Sequence, residues 1–203
     1  MKPHFCILLL AAALLLSCKE PAGGGRVLPI SEMREGDLAF RCGQGIFSRA
    51  VTSAEDSCVY SHVGVLVKAD GKWKIVHAVP GEREGGDDYD RVRMNDPEEF
   101  FANGKAFRGC LVHTGLSDST AIRTISEKAV EAAENRVEFD KGYDCGDSSK
   151  VYCTEFVCRL YKDCGIDLSE GRRKSLNTFY VKGEVILPEH LLKYSKNEIY
   201  YSY

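Results

Sequence analysis

The chain has 203 residues, 44% of them hydrophobic and 28% charged, with a formal net charge of −3; that is enough apolar material for one domain with a real core and too little for two. Acidic and basic residues are interspersed without a long basic run, which excludes the electrostatic footprint of a nucleic-acid-binding protein and leaves a weakly acidic enzyme as the default class. The sequence does not show the oligomeric state; a monomer is expected.

Lys2 precedes an apolar run from Phe5 to Leu16. The run is too short for a bilayer core of about 30 Å and has the proportions of a signal peptide. Residues 1–17 are therefore expected to be removed, taking His4 and Cys6 with them. The run ends in Leu15-Leu16-Ser17-Cys18, which is similar to the bacterial lipoprotein cleavage box. Cys18 would then be the lipidated N-terminus, holding an exported protein on a membrane and facing the periplasm or the cell exterior. Residues 18–26, with Pro21 and three consecutive glycines, read as a flexible tether, and residues 27–203 as the folded domain.

That domain opens with Gly36 to Arg41, a turn into a short strand, and Ile46 to Thr52 reads as a brief helix. His62 to Val67 and Trp73 to Val79 are β-rich runs joined through Asp70-Gly71, a strong hairpin signal. Gly81 to Asp96, rich in Gly, Asp, Glu and Arg, reads as a mobile loop rimming a cleft, with no chemistry of its own. Lys105 to His113 is another strand, and Ser119 to Asn135 has helical spacing, capped by Asp118 or Ser119. A last clear helix runs from Cys153, with apolar Phe156, Val157, Leu160, Tyr161 and Cys164 on one side and Arg159, Lys162 and Asp163 on the other. Ser148 and Ser149 are the expected caps of its start, and Gly165 its end. Val185 to Pro188 and Glu198 to Tyr203 suggest a closing segment and a terminal strand. Repeats are absent, and the mixture predicts an α+β fold around an antiparallel sheet.

Cys153 falls in the first turn or two of its helix, where free backbone amides and the macrodipole favour a thiolate. Of the nine cysteines, Cys6 and Cys18 leave with the signal or serve as the anchor. The remaining seven are an odd number, so at least one stays unpaired. No Cys-x-x-Cys pair occurs, and Cys153 and Cys158 point different ways on a helix, so no structural zinc site and no cofactor are expected.

A thiol nucleophile needs a base, and the base needs a group to hold its tautomer. His190 sits in a polar segment and is expected to face solvent; His113 ends a strand and is a weak candidate. His62 and His77 are related by the hairpin. With Asp70 and Gly71 as the two turn residues, Ala69 pairs with Lys72 and His62 lies opposite Val79. His77 is then one diagonal step from His62 on the same face, with Cα atoms about 7–8 Å apart. A one-residue slip would send the two rings to opposite faces.

Tyr60-Ser61-His62-Val63-Gly64-Val65-Leu66-Val67, Val76-His77-Ala78-Val79 and Tyr152-Cys153-Thr154-Glu155-Phe156-Val157, with Gly36 to Phe40 and the approach from Phe139 to Tyr152, resemble the YiiX-like permuted papain-fold hydrolases, relatives of the NlpC-type cell-wall peptidases. The resemblance spans about residues 35 to 190. It implies a circularly permuted papain-like fold, with an antiparallel sheet packed against helices that include the nucleophile helix. It also implies Cys153 as nucleophile, His62 as general base and then general acid, and His77 as the residue orienting His62, although a glutamate is frequent at that position in the family. The Cys153 amide would serve the oxyanion, Tyr152 and Tyr60 are further candidate donors, and Glu155 would support the helix terminus. The implied activity is amide hydrolysis through an acyl-enzyme, on peptides including cell-wall peptides. Acyl transfer or hydrolysis of lipid-like amides, or a non-catalytic ligand-binding lipoprotein of the same fold, are the alternatives.

Overall fold

The computed structural model describes residues 26–177 and 181–203; the expected signal peptide, Cys18 and the tether up to Gly25 lie outside them. The strands are β1 (Leu38–Cys42), β2 (His62–Ala69), β3 (Lys72–Val79), β4 (Arg91–Asn95), β5 (Arg108–His113), β6 (Glu138–Phe139), β7 (Lys150–Val151), β8 (Lys174–Asn177), β9 (Lys182–Val185) and β10 (Glu198–Ser202). The helices are α1 (Ile46–Thr52), α2 (Pro97–Phe100), α3 (Ser119–Glu134), α4 (Cys153–Lys162) and α5 (Pro188–Leu192). Eight strands form one sheet in the order β10-β5-β1-β2-β3-β4-β6-β7, antiparallel except for the β6–β7 pair; β8 and β9 form a separate hairpin.

The order of the central strands follows from short connections. β2 and β3 are joined by Asp70 and Gly71, both at positive φ (50° and 73°), the pair a two-residue primed turn requires. Ala69 therefore faces Lys72 and Val65 faces Val76, the register expected from the Asp-Gly signal. Alternation then sorts the sheet into two faces. Leu38, Phe40, Val63, Val65, Val67, Val76, Ala78 and Val92 are buried in one cluster with Ile125 and Ala129 of α3 and Val157, Leu160 and Tyr161 of α4. Each such branched or aromatic side chain contributes about 1.5–3 kcal/mol on full burial. The other face holds a smaller cluster of Ala39, Leu66, Ile75 and Leu111 with Phe100 and Phe101.

Three expectations need correction. The segment from Gly81 to Asp96 is a loop only in part, because Arg91–Asn95 is β4 and pairs along the whole of its length with β3, from Ile75↔Asn95 to Val79↔Arg91. Its arginines hid the strand; Arg93 is buried there because Asp88 and Glu84 pair with it, and Asp88 also holds Arg91 and Arg136. Ser148 and Ser149 do not cap α4, which starts at Cys153 itself. Ser149 instead bonds Asp147, and Glu155 reaches back to the Tyr152 amide at 3.4 Å and to Arg159 at 2.7 Å. His190 is buried on α5, accepting from the Leu187 amide at 3.2 Å and facing Glu55 at 3.4 Å. Gly165 closes α4 as expected: with φ 77° it allows the Ile166 amide to bond back to the Tyr161 carbonyl at 3.1 Å. The seven cysteines among the described residues are all free thiols.

Candidate active site

The β2–β3 register brings His62 and His77 together on one face, His62 Nε2 lying 2.8 Å from His77 Nδ1. The rings meet edge to face, with centroids 5.0 Å apart. Gly64 makes this approach feasible. A Cβ at that position would sit 2.7 Å from Ile75 Cγ2 and 3.0 Å from His77 Cβ, so any side chain would displace His77 from its place.

His77 Nε2 is 2.6 Å from Asn95 Oδ1, and the Asn95 amide also hydrogen-bonds the Glu99 carboxylate. A carboxylate only accepts, so the amide nitrogen faces Glu99 and the amide oxygen faces His77. His77 accordingly donates from Nε2 and accepts at Nδ1 from His62 Nε2–H. His62 Nδ1 makes no hydrogen bond among the described residues and is left carrying a free lone pair.

Phe100 packs on both rings, at 5.8 and 5.0 Å between centroids. Beside it lies Arg41, directly across the strand pair from His62 and 4% exposed. Arg41 donates to the Phe100 carbonyl at 2.8 Å and pairs with Glu82. Glu82 pairs in turn with Lys105 at 2.7 Å, and Lys105 with Glu99 at 2.9 Å. Burial tends to raise the Glu82 carboxyl, but Arg41, His77 and Lys105 together draw it below the usual range. Burial, helped by the Arg41 charge, holds His62 well below the ordinary imidazole value and takes His77 down to about 3. Both rings are neutral at physiological pH.

Cys153, the first residue of α4, is buried in the same cluster as Val63 and Val65 of β2. Hydrogen bonds from the Val63 and Thr154 amides and from its own backbone favour the thiolate, yet burial outweighs them and pushes the thiol up to about 11. The helix start thus does not supply a preformed thiolate, as its placement alone suggests. A buried charge costs more than three amide hydrogen bonds return. At rest the thiol and both imidazoles are neutral.

Cys153, His62 and Arg41 line one cavity of about 580 Å³ at this end of the sheet. Its lining includes the polar Glu82, Arg93, Asn95, Glu99 and Lys105 and the apolar Phe47, Val51, Val79, Phe139 and Tyr143. The candidate donors Tyr152 and Tyr60 are not in its lining. Tyr152 accepts from the Ile186 amide at 3.1 Å and contacts Cys145, while Tyr60 packs on Phe40 and bonds Cys110. His113 bonds Asp37 at 2.9 Å and stacks on Tyr200 at 3.9 Å, outside the cavity. Sequence reasoning missed Arg41, Glu82, Asn95, Glu99 and Lys105. For Asn95 a signal existed: Arg91, Arg93 and Asn95 alternate, and the alternation places all three on the His77 face once the segment is read as a strand.

A thiol at a helix start and an imidazole on an antiparallel sheet line the same cavity here, the two parts that a papain-like fold brings to one cleft. Here the histidine strands precede the cysteine helix, so the order is permuted. The family model described as permuted papain-like amidase enzyme, YaeF/YiiX, C92 family, matches residues 32–195, and the chain belongs to that family. Among solved structures it is similar to metalloprotein YiiX from Escherichia coli O157:H7, at 17% identity and a TM-score of 0.68, over 84% of this chain and 97% of that one. That likeness shows the fold. No curated protein matches the chain significantly. Among the described residues of this chain, no three His, Cys, Asp or Glu side chains converge as a metal site.

Proposed function

We propose that the chain is an exported, lipid-anchored thiol amidase that cleaves an amide through an acyl-enzyme on Cys153. The observation that carries this reading is the directed chain Asn95–His77–His62, which leaves His62 Nδ1 as a free acceptor in the cavity that holds the thiol. In the first step the Cys153 sulfur attacks the substrate carbonyl carbon as its proton passes to His62 Nδ1. The tetrahedral oxyanion takes hydrogen bonds at the start of α4, from the Cys153 amide among others. The new imidazolium is stabilised by His77, and it returns its proton to the leaving amine as the C–N bond breaks. Water, deprotonated by the same Nδ1, then hydrolyses the thioester and releases the acid.

Because thiol and base both start neutral, proton transfer accompanies attack instead of preceding it. Peptides, including cell-wall stem peptides, are the substrates the relationship suggests. The apolar lining of Phe47, Val51, Phe139 and Tyr143 favours a second reading, in which the acyl part is lipid-like and the acceptor is water or an amine. Incubating the protein with peptidoglycan fragments and with N-acyl amino acids, then measuring intact mass, tests both. A thioester adduct on Cys153 that disappears in Cys153→Ala, together with release of the matching amine, is expected. Turnover retained by Cys153→Ala would overturn the proposal.

A further inference from the structure

Lys105, in the cavity lining, adjoins the segment against which the described chain begins. Arg26, the first described residue, donates to the Phe101 carbonyl and, at 2.8 Å, to the Ala106 carbonyl. The next residue along, Phe107, bonds through its amide to the Cys42 carbonyl at 3.0 Å. Gly43 then lies against α1, where a Cβ would come within 3.0 Å of Ser48 Oγ and 3.1 Å of the Lys105 carbonyl. Arg26, Phe107 and α1 are thus neighbours around one rim, and Phe47 and Val51 of α1 line the cavity itself.

Beside polar lining residues such as Gln44, Ser48 and Lys105, this part of the rim exposes large apolar side chains. None of the seven residues of α1 is buried. Ile46 and Phe47 stand 79% and 65% exposed, Val27 88% and Phe107 47%. Scattered exposed apolar residues are ordinary, but a cluster around one opening marks an interaction surface. The opposite end of the same strands is different. Trp73 pairs with Lys68, six residues along β2 from His62, which places it about 20 Å away from the cavity end.

We infer that Ile46, Phe47, Val27 and Phe107 form a membrane-docking face, which seats the mouth of the cavity on the bilayer surface. The occupant is a lipid surface because of where the chain exits. From Cys18 to Arg26 even a fully extended chain spans at most about 30 Å, so an anchor at Cys18 holds the domain close to the membrane, and the exposed apolar cluster beside the chain's exit is the surface that gains by burial there. A helix with bulky apolar residues at its exposed start inserts into the headgroup boundary without spanning it. This inference rests on the lipid anchor proposed above but not on any hydrolytic activity.

The chain contains one tryptophan, Trp73, which supplies an internal control. The full-length anchored protein and its Phe47→Trp variant are reconstituted in phosphatidylethanolamine and phosphatidylglycerol vesicles whose acyl chains carry bromine, a short-range quencher. The indole at position 47 is expected to shift to the blue and lose most of its emission, while Trp73 keeps its own; Ile46→Trp repeats the measurement should the first variant fold poorly. Equal quenching at 47 and 73, or vesicle-bound protein with an unquenched indole at 47, would overturn the inference. A blue shift at 47 without vesicles would overturn it too, because the chain's own N-terminal segment would then cover α1. Running the series in Cys153→Ala separates the outcomes: quenching there with no acyl adduct in the wild type supports the docking face while sinking the amidase.

Discussion

The two faces of the central sheet are built on opposite physical principles. On the side of α3 and α4, Val63, Val65, Val76, Ala78 and Val92 meet Ile125, Val157 and Leu160 in an apolar core. On the other side, near the same strand ends, His62, His77, Arg41 and Asn95 are buried among Glu82, Glu99, Lys105 and Phe100. The first face tolerates adjustment because dispersion and area burial are non-directional. The second does not, because each buried polar atom needs one particular partner in one orientation. The site face therefore carries specificity, and the core face carries most of the stability.

The sharpest break of that comparison is Cys153→Ala, expected to lower amide hydrolysis by at least about 1,000-fold with little change in thermal stability; steady-state kinetics beside a melting curve checks both. His77→Ala and Asn95→Ala come next, at about 100-fold or more and about 10–100-fold in kcat. In 15N NMR, loss of either partner should populate the wrong His62 tautomer. Gly64→Ala tests how the site face is held open. Its Cβ would meet Ile75 and His77, so a loss of about 1–3 kcal/mol in stability should accompany a fall in kcat.

Ile125→Ala, on the core face, should cost about 2–5 kcal/mol while leaving kcat per folded molecule within a few-fold. A comparable activity loss there would show that the two faces are coupled.

The smallest effect is the pH response. His62 and His77 have folded values below 6.5, so the unfolded chain binds more protons in acid. Their contribution to stability is present above pH 6.5 and is lost as pH falls from 6.5 toward 3. Glu155, raised by burial to about 7, has the opposite slope, losing stability as pH rises from 4.5 to 7. His77→Gln should flatten the acid decline in chemical denaturation. For the same reason kcat/KM should show no acid limb near 6.5.

Much of the site was legible before the fold. Asp70-Gly71 set the hairpin register, the register set the faces of His62 and His77, and the amphipathic run after Cys153 set its helix. These are local rules, since turn chemistry and side-chain periodicity act over a few residues. Arg41, Asn95 and Glu99 were not legible, because nothing near each of them in the chain indicates that an imidazole or a carboxylate will be its neighbour. β4 was misread for a related reason: its arginines look solvated until Asp88, from the preceding loop, folds back to neutralise them.

The amino-acid order by itself singled out the candidate thiol and the two candidate imidazoles, and it determined the α+β class and the permuted order of strand before helix. Only the tertiary structure decided the ionisation state. A helix start argues for a thiolate, but whether sulfur holds its proton depends on how much water the assembled walls exclude, and that is a property of the packed whole.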